Sequence, residues 1–196
     1  MLKTAKRIIK DILISLGVRL PMKTDDRRVL EEIIFPWITE EAKCRKMLFV
    51  GCDWYTAYYP RLFPNGEFWT MDYDPAKARY GSKLHKVGAV QDVAELFPAG
   101  NFDVVICNGV LGWGLNQIGD IETAFEAMHR ILEPSGLLVL GWNDIPRCKP
   151  VELDQIKNLR MFDKFNFPPL QTDCLLLTTT VNRHTYSFFK KPDGEA

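Results

Sequence analysis

Residues 46–73 read KMLFVGCDWYTAYYPRLFPNGEFWTMDY. An apolar run, 46–50, stops at Gly51, an aromatic-rich connection follows, and a second apolar run, 67–73, contains Asp72 near its end. Short apolar runs bounded by Gly and Pro fit strands buried on both faces, and the segment around 54–62 reads as a short crossover helix. Two such strands joined by a crossover run parallel, because a parallel pair cannot be closed by a tight turn.

The same rhythm continues downstream. Asp74-Pro75 opens a helix, with Asp as N-cap and Pro at the first helical position. An extended piece lies near 84–90, and a turn of helix near 93–97. The buried run FDVVICNGV spans 102–110, and DIETAFEAMHRIL, 120–132, has helical periodicity. Glu133-Pro134-Ser135-Gly136 stops that helix, LLVLGW (137–142) is the next strand, and a helix is expected at 151–161. Two β-rich runs, CLLLTTTV and HTYSFFKK, are joined through Asn182-Arg183 and read as an antiparallel hairpin closing one edge. These elements predict an α/β fold: a doubly wound, mostly parallel seven-stranded sheet, order 3-2-1-4-5-7-6 with strand 7 antiparallel, and helices on both faces.

Upstream, Leu2, Ala5, Ile8, Ile9, Ile12, Leu13 and Leu16 share one helical face, with Lys3, Lys6, Arg7 and Lys10 opposite, and Gly17 and Pro21 end the helix. Residues 1–24 carry six basic side chains and one acidic, net +5, so the remainder is net −5. The organisation is therefore a basic amphipathic helix, 1–24, ahead of a Rossmann-like domain, 25–196. That domain begins with a helix from about Asp26, bent or broken at Pro36. The helix of 1–24 has three candidate roles: packing over the pocket, packing against a second subunit in a homodimer, or docking on an anionic membrane or partner.

Bulk features narrow the class. The 196 residues suit one domain, and Lys plus Arg (25) balances Asp plus Glu (25), which disfavours a nucleic-acid partner. Five cysteines without a C-x-x-C spacing indicate neither a disulfide frame nor a zinc knuckle, and a cytoplasmic location is expected. No apolar run is long enough for a membrane span. His85, His129 and His184 are too scattered for a metal site, and neither a G-x-S-x-G elbow nor a Walker sequence is present.

In an open parallel sheet, ligands bind at the carboxyl ends of the strands. Gly51 marks the first such end and Asp72 the second, 21 residues on, close to the offset at which an acidic side chain takes ribose hydroxyls. LFVGC, TMDYDP, VQDVAELFPAGNFDVVICNGVL and AFEAMHRILEPSGLLVLG, in that order, resemble the class I S-adenosylmethionine-dependent methyltransferases over roughly 45–190, with a degenerate glycine-rich first motif. The resemblance implies that Gly51 and Cys52 approach the methionine part of the cofactor, Asp72 binds ribose, Asp92 and Val93 flank adenine, and Asn108 faces the methionine tail or the substrate. It implies S-adenosylmethionine as cofactor, S-adenosylhomocysteine as product, and a small molecule as methyl acceptor.

The family usually has an acidic residue where Phe49 stands and glycines where Asp53 and Tyr55 stand. Glycine permits positive φ and close backbone approach, so the first turn has been rebuilt. Asp53 has two readings: a cap for a helix beginning at Trp54, or an attractor for the positive groups of the cofactor. Asp92 likewise reads as a cap or as an adenine contact. Cys52 is either a helix-start thiol or a small buried residue. Trp54, Tyr55, Trp113 and Trp142 fall at strand-end loops, where they serve the core, a lid or a substrate pocket. Asp144, just past the fifth strand, is a candidate base or a turn residue before Pro146. The alternative to a transferase is a catalytically silent methyltransferase-like domain that binds a nucleoside metabolite or a protein.

Overall fold

The computed structural model describes residues 2–20 and 22–194, with side chains described from Ile8 onward. The roles expected of the Leu2, Lys3, Ala5, Lys6 and Arg7 side chains, and of Pro21 as a helix stop, lie outside the described residues.

Eight strands form one sheet: β1 (Lys46–Val50), β2 (Glu67–Asp72), β3 (Leu84–Val87), β4 (Phe102–Asn108), β5 (Leu132–Asn143), β6 (Asp163–Lys164), β7 (Cys174–Leu176) and β8 (His184–Lys190). The order is β3-β2-β1-β4-β5-β8-β6, with β7 also paired to β8. The first five run parallel, and β8 enters antiparallel beside β5, Leu137 opposite Lys190 and Asn143 opposite His184. The expected order therefore holds with one correction to the strand count. The outer position beyond β8 is shared by two short strands: β6 faces Phe189 and Lys190, and β7 faces Thr185, Tyr186 and Ser187.

Each face of the sheet has its own apolar layer. One is built on Leu48, Val50, Val105, Leu138 and Leu140 and is covered by α4 (Val93–Leu96) and α5 (Ile118–Ile131). Ile121, Phe125, Met128 and Ile131 of α5 are fully or almost fully buried, each contributing roughly 1.5–3 kcal/mol of transfer free energy. The opposite layer is aromatic, with Phe35 and Phe49 in ring contact with each other and each with Tyr59 and Phe68. It is covered by the helical stretch α2 (Asp25–Val29), a π-helical segment (Leu30–Ile34) and α3 (Phe35–Glu40). Pro36 lacks an N–H, and the π-helical segment directly precedes it, so the helix changes register without ending.

Several expected helices are tighter or shorter. The 54–62 connection is a chain of turns ending in a 3₁₀ turn, Tyr59–Leu62, with Pro60 inside it. The segment after Asp74 is also 3₁₀, Pro75–Tyr80, and Asp74 does cap it, accepting from the Ala76 amide at 2.8 Å. In place of the helix at 151–161 are two 3₁₀ turns, Leu153–Gln155 and Asn158–Met161. The Glu133–Gly136 stop survives as a bulge: β4 pairs Phe102 with Leu132 and then Val104 with Leu137, and Ser135 takes φ 59°.

Helix α1 (Leu2–Ser15) attaches by its polar side. Lys10 Nζ sits 3.6 Å from the Trp54 ring centroid, and Asp11 accepts from Tyr80 Oη at 2.6 Å and pairs with Arg79 at 3.2 Å. Of the described side chains on its expected apolar face, Ile8, Ile9, Ile12 and Leu16 are 52–73% exposed and Leu13 is half-buried; none of these five lines the cavity described below.

Candidate active site

The carboxyl ends of β1, β2 and β4 open into a cavity of about 970 Å³, within the size range of small-molecule sites. Gly51, directly after β1, has φ 96°, and a Cβ there would lie 2.7 Å from the Asn108 carbonyl oxygen. Only glycine lets the ends of β1 and β4 approach this closely.

Asp72 is buried at the end of β2 and fixes the rebuilt turn. Its Oδ2 accepts from the Cys52 amide at 2.7 Å, and its Oδ1 accepts from the Asp74 amide at 2.9 Å. A carboxylate oxygen has more than one lone pair, so both retain acceptor capacity toward the cavity that Asp72 lines. The neighbouring turn is closed by Asp53 and Thr56: the Asp53 amide donates to Thr56 Oγ1 at 3.0 Å, and Asp53 Oδ1 accepts from the Trp54 amide at 2.7 Å. Asp53 Oδ2 forms a 2.6 Å ion pair with Lys77, so its charge is already matched by the chain. The Cys52 thiol is buried and pushed up to about 12, mainly by burial, so it stays protonated and is not an activated helix-start thiol.

The third strand end differs from expectation by one or two residues. Asp92 is exposed and Val93 is fully buried in the core, whereas Val90 and Gln91 line the cavity. The 3₁₀ turn Val90–Asp92 rotates the carboxylate outward before α4 begins, and Asp92 makes no side-chain cap bond there.

Of the four aromatic candidates, Tyr55 and Trp113 line the cavity. Trp54 lies outside that lining, covered by Lys10. Trp142 is core: it packs on the α5 side, and its Nε1 donates to Ser187 Oγ at 3.1 Å. Alternation along β5 sends Trp142 to one face and its neighbours Gly141 and Asn143 to the other. Trp113 is 55% exposed on a connection closed by backbone bonds from Trp113 and Leu115 to the Val110 carbonyl, so the segment is a tight turn. Asp144 also lies outside the lining, paired with Lys149 at 2.8 Å and Arg183 at 3.5 Å. The Lys149 hydrogen bond foremost holds its carboxyl below the usual range, a poor setting for a base.

Sequence reasoning missed the far wall. Asn143 and His184, opposite each other on β5 and β8, and Arg27 from α2 all line the cavity. The His184 Nδ1 and Asn143 Oδ1 lie 2.9 Å apart, which makes Nδ1 the protonated nitrogen. Burial lowers His184 to about 4, so the ring is neutral near pH 7. Arg27 is buried, lies 4.4 Å from the Tyr55 ring centroid, and pairs with Asp26 at 3.2 Å. Asn108 is 4% exposed, and both of its amide atoms lack a hydrogen-bond partner. No group of three or more His, Cys, Asp or Glu side chains suited to a metal occurs among the described residues.

The chain is similar to known methyltransferases. A family profile described as a methyltransferase domain matches residues 48–140, from β1 to β5. The ubiquinone/menaquinone biosynthesis C-methyltransferase UbiE of Pasteurella multocida is 34% identical over 130 residues, covering 61% of this chain and 45% of that protein. A demethylmenaquinone methyltransferase of a Geobacillus species is 28% identical over 108 residues, covering 50% of this chain and 44% of that protein. The chain thus spans less than half the length of these curated relatives. Among solved structures, the N-methyltransferase NodS from Bradyrhizobium japonicum in complex with S-adenosylhomocysteine superposes with a TM-score of 0.59 at 17% identity, covering 87% of this chain and 94% of that one. A TehB-like methyltransferase from Corynebacterium glutamicum gives 0.59 at 17%, covering 96% of each chain. Residues 48–140 thus match a methyltransferase domain, and the order of the sheet is that of a Rossmann-like methyltransferase fold.

Proposed function

We propose that the chain transfers the methyl group of S-adenosylmethionine to a small-molecule acceptor and releases S-adenosylhomocysteine. One observation carries the reading: the segment matched to a methyltransferase domain supplies Gly51, Asp72 and Asn108, and all three converge on one cavity. The donor set suits the cofactor, with a carboxylate for ribose, a wall at Val90 and Gln91 for adenine, and a close backbone approach at Gly51 for the methionine part. When bound, the cofactor supplies an electrophilic methyl group on a sulfonium. The protein then acts mainly by holding the acceptor in line, an alignment worth several kcal/mol. Asp144, tied to Lys149 and Arg183, is not needed as a base in this scheme.

A second reading, a catalytically silent domain that binds a nucleoside metabolite or a protein, draws on the Asp53–Lys77 pair built into the altered turn. Calorimetric titration with S-adenosylmethionine and S-adenosylhomocysteine separates the two. Binding of both, with methyl transfer to an acceptor, supports the enzyme. A folded chain that binds neither refutes the cofactor assignment, and binding without turnover on any acceptor favours the silent domain. The same reading places the protein in the cytoplasm, without a nucleic-acid partner. It treats residues 1–24 as a segment apart from the 25–196 domain, whose outward apolar side chains would suit a homodimer contact.

A further inference from the structure

Orphaned polar atoms are concentrated at one place. Among the described residues, buried side-chain nitrogen or oxygen atoms without a hydrogen-bond partner occur at Arg27 (Nε), Asn108 (Nδ2 and Oδ1), His184 (Nε2) and His85 (Nε2), and the first three residues line the cavity. Leaving such groups unpaired costs about 1–3 kcal/mol each, which makes their clustering a pointer to a ligand that completes them. Gly141 explains how two of them, Asn108 and His184, meet. Asn108 and Gly141 are side by side on β4 and β5, and a Cβ at 141 would collide with the Asn108 amide while lying 3.1 Å from His184 Nε2. The missing side chain leaves room for the Asn108 amide to lie over β5 toward His184.

The donors and acceptors of this cluster select a chemical class. His184 Nδ1 donates to Asn143, so Nε2 presents a lone pair and needs a donor. Asn108 Nδ2 and Arg27 Nε need acceptors; the latter is 3.2 Å from Asp26 Oδ2 but out of hydrogen-bond alignment. A hydroxyl offers one donor and two lone pairs, which matches one acceptor and two donors. An ether or a carboxylate has no proton for Nε2, and an ammonium has no lone pair for Asn108 and is repelled by Arg27. Asn108 Oδ1 remains for the proton of an adjacent hydroxyl.

We propose that Asn108, His184 and Arg27 form a subsite for a hydroxyl, or a vicinal pair of hydroxyls, with the O–H donating to His184 Nε2 and its oxygen accepting from Asn108 and Arg27. That this ligand is the methyl acceptor rests on the methyl-transfer reading; the hydroxyl selectivity does not. Asp72, Gly51 and Val90 lie toward β1–β3, whereas His184 and Asn143 lie toward β8, so a cofactor and a hydroxyl ligand would occupy opposite ends with Asn108 between them. The neutral state of His184, set mainly by its burial, fits the acceptor role.

The test uses the intact chain and three probes of one ring: catechol, 2-methoxyphenol and 1,2-dimethoxybenzene, which lose hydroxyl protons one at a time. Affinities are measured with and without saturating S-adenosylhomocysteine, and His184 Nε2 is followed by imidazole nitrogen NMR. The expected result is at least about tenfold tighter binding of catechol than of the dimethoxy compound, the cost of leaving a buried acceptor unpaired. A catechol-dependent shift at Nε2 and loss of the discrimination in His184→Phe, with S-adenosylhomocysteine affinity changed less than threefold, accompany it. Equal affinities across the series, no measurable binding, or an Nε2 resonance unmoved at saturation overturns the subsite. Should His184→Phe fail to fold, the wild-type series and the nitrogen shift decide alone. Hydroxyl discrimination in a chain that does not bind S-adenosylhomocysteine would uphold the subsite and refute the transferase reading.

Discussion

Replacing Asp72 by Asn tests the central joint of the site without any assumption about ligands. In the wild type both carboxylate oxygens accept backbone N–H bonds, from Cys52 at 2.7 Å and Asp74 at 2.9 Å, on a side chain only 9% exposed. Asn keeps one oxygen and substitutes an NH₂ for the other, so in either flip one amide hydrogen faces a donor. A charge-assisted hydrogen bond contributes about 1.5–3 kcal/mol, and part of a further unpaired-group penalty is added, giving a loss of about 2–4 kcal/mol. At this chain length that lowers the ligand-free melting midpoint by roughly 4–15 °C. Differential scanning calorimetry of the apo protein reads this directly. Titration with S-adenosylmethionine well below the transition should show a roughly 10–100-fold loss, since the ribose would lose a charged acceptor. An apo midpoint within about 1 °C of wild type would refute the idea that this carboxylate holds the turn. Unchanged cofactor affinity would refute its ribose role.

Three further outcomes are expected. Gly51→Ala forces a side chain into φ 96° and against the Asn108 carbonyl, so it should destabilise the apo protein by about 2 kcal/mol or more in urea unfolding; a neutral result would mean that β1 and β4 are not held this close. Asp53→Asn keeps an acceptor for the Trp54 amide but releases Lys77. The pair is about one-third exposed and worth at most ~1 kcal/mol, so binding of the sulfonium cofactor and of its neutral-sulfur product should each change less than about threefold, and a selective tenfold loss for the sulfonium form would show that Lys77 does not neutralise Asp53. His184 is held at about 4 against 6.5 when unfolded. Stability is insensitive to this group above pH 6.5 and falls as pH drops toward 4, the loss reaching about 2 kcal/mol at pH 5. The stability-versus-pH slope between pH 6.5 and 5 should therefore flatten in His184→Gln relative to wild type, and identical slopes would show that the ring is not buried neutral.

The parallel half of the sheet was legible because its strands are continuous apolar runs with Gly or Asp at their ends, a pattern that chemistry imposes locally. Gly51 and Asp72 followed from the same locality, since 21 residues of one strand-crossover-strand unit separate them. Trp142, read as core, lid or pocket, and Asp144, read as base or turn residue, both stand at a strand end, which leaves their direction open. Which face Trp142 takes depends on the register of β5 against β8, and Asp144 is captured by Lys149 and Arg183, partners that proximity to the strand end does not reveal. Asp92 and Val93 illustrate a finer limit: a 3₁₀ turn advances each residue by more than an α-turn, so a one-residue difference in where it starts moves a carboxylate from cavity to solvent. Arg27 and His184 carry no local signal at all. They lie 157 positions apart and meet only because α2 covers the face of the sheet where β8 is inserted.

That insertion has a consequence for how the molecule is made. β8 is threaded between β5 and the short β6 and β7, and its residues His184–Phe189 are buried. As the chain leaves the ribosome, β1 to β5 can pair, yet β5 keeps an open, apolar edge until residues 184–190 emerge. Such an edge is a template for pairing with another chain. His184, the residue that would read the ligand, is at the beginning of the strand that closes it. Synthesis therefore completes the protection of the sheet and the far wall of the cavity in one event, and a chain cut short before residue 184 would be both aggregation-prone and without that wall.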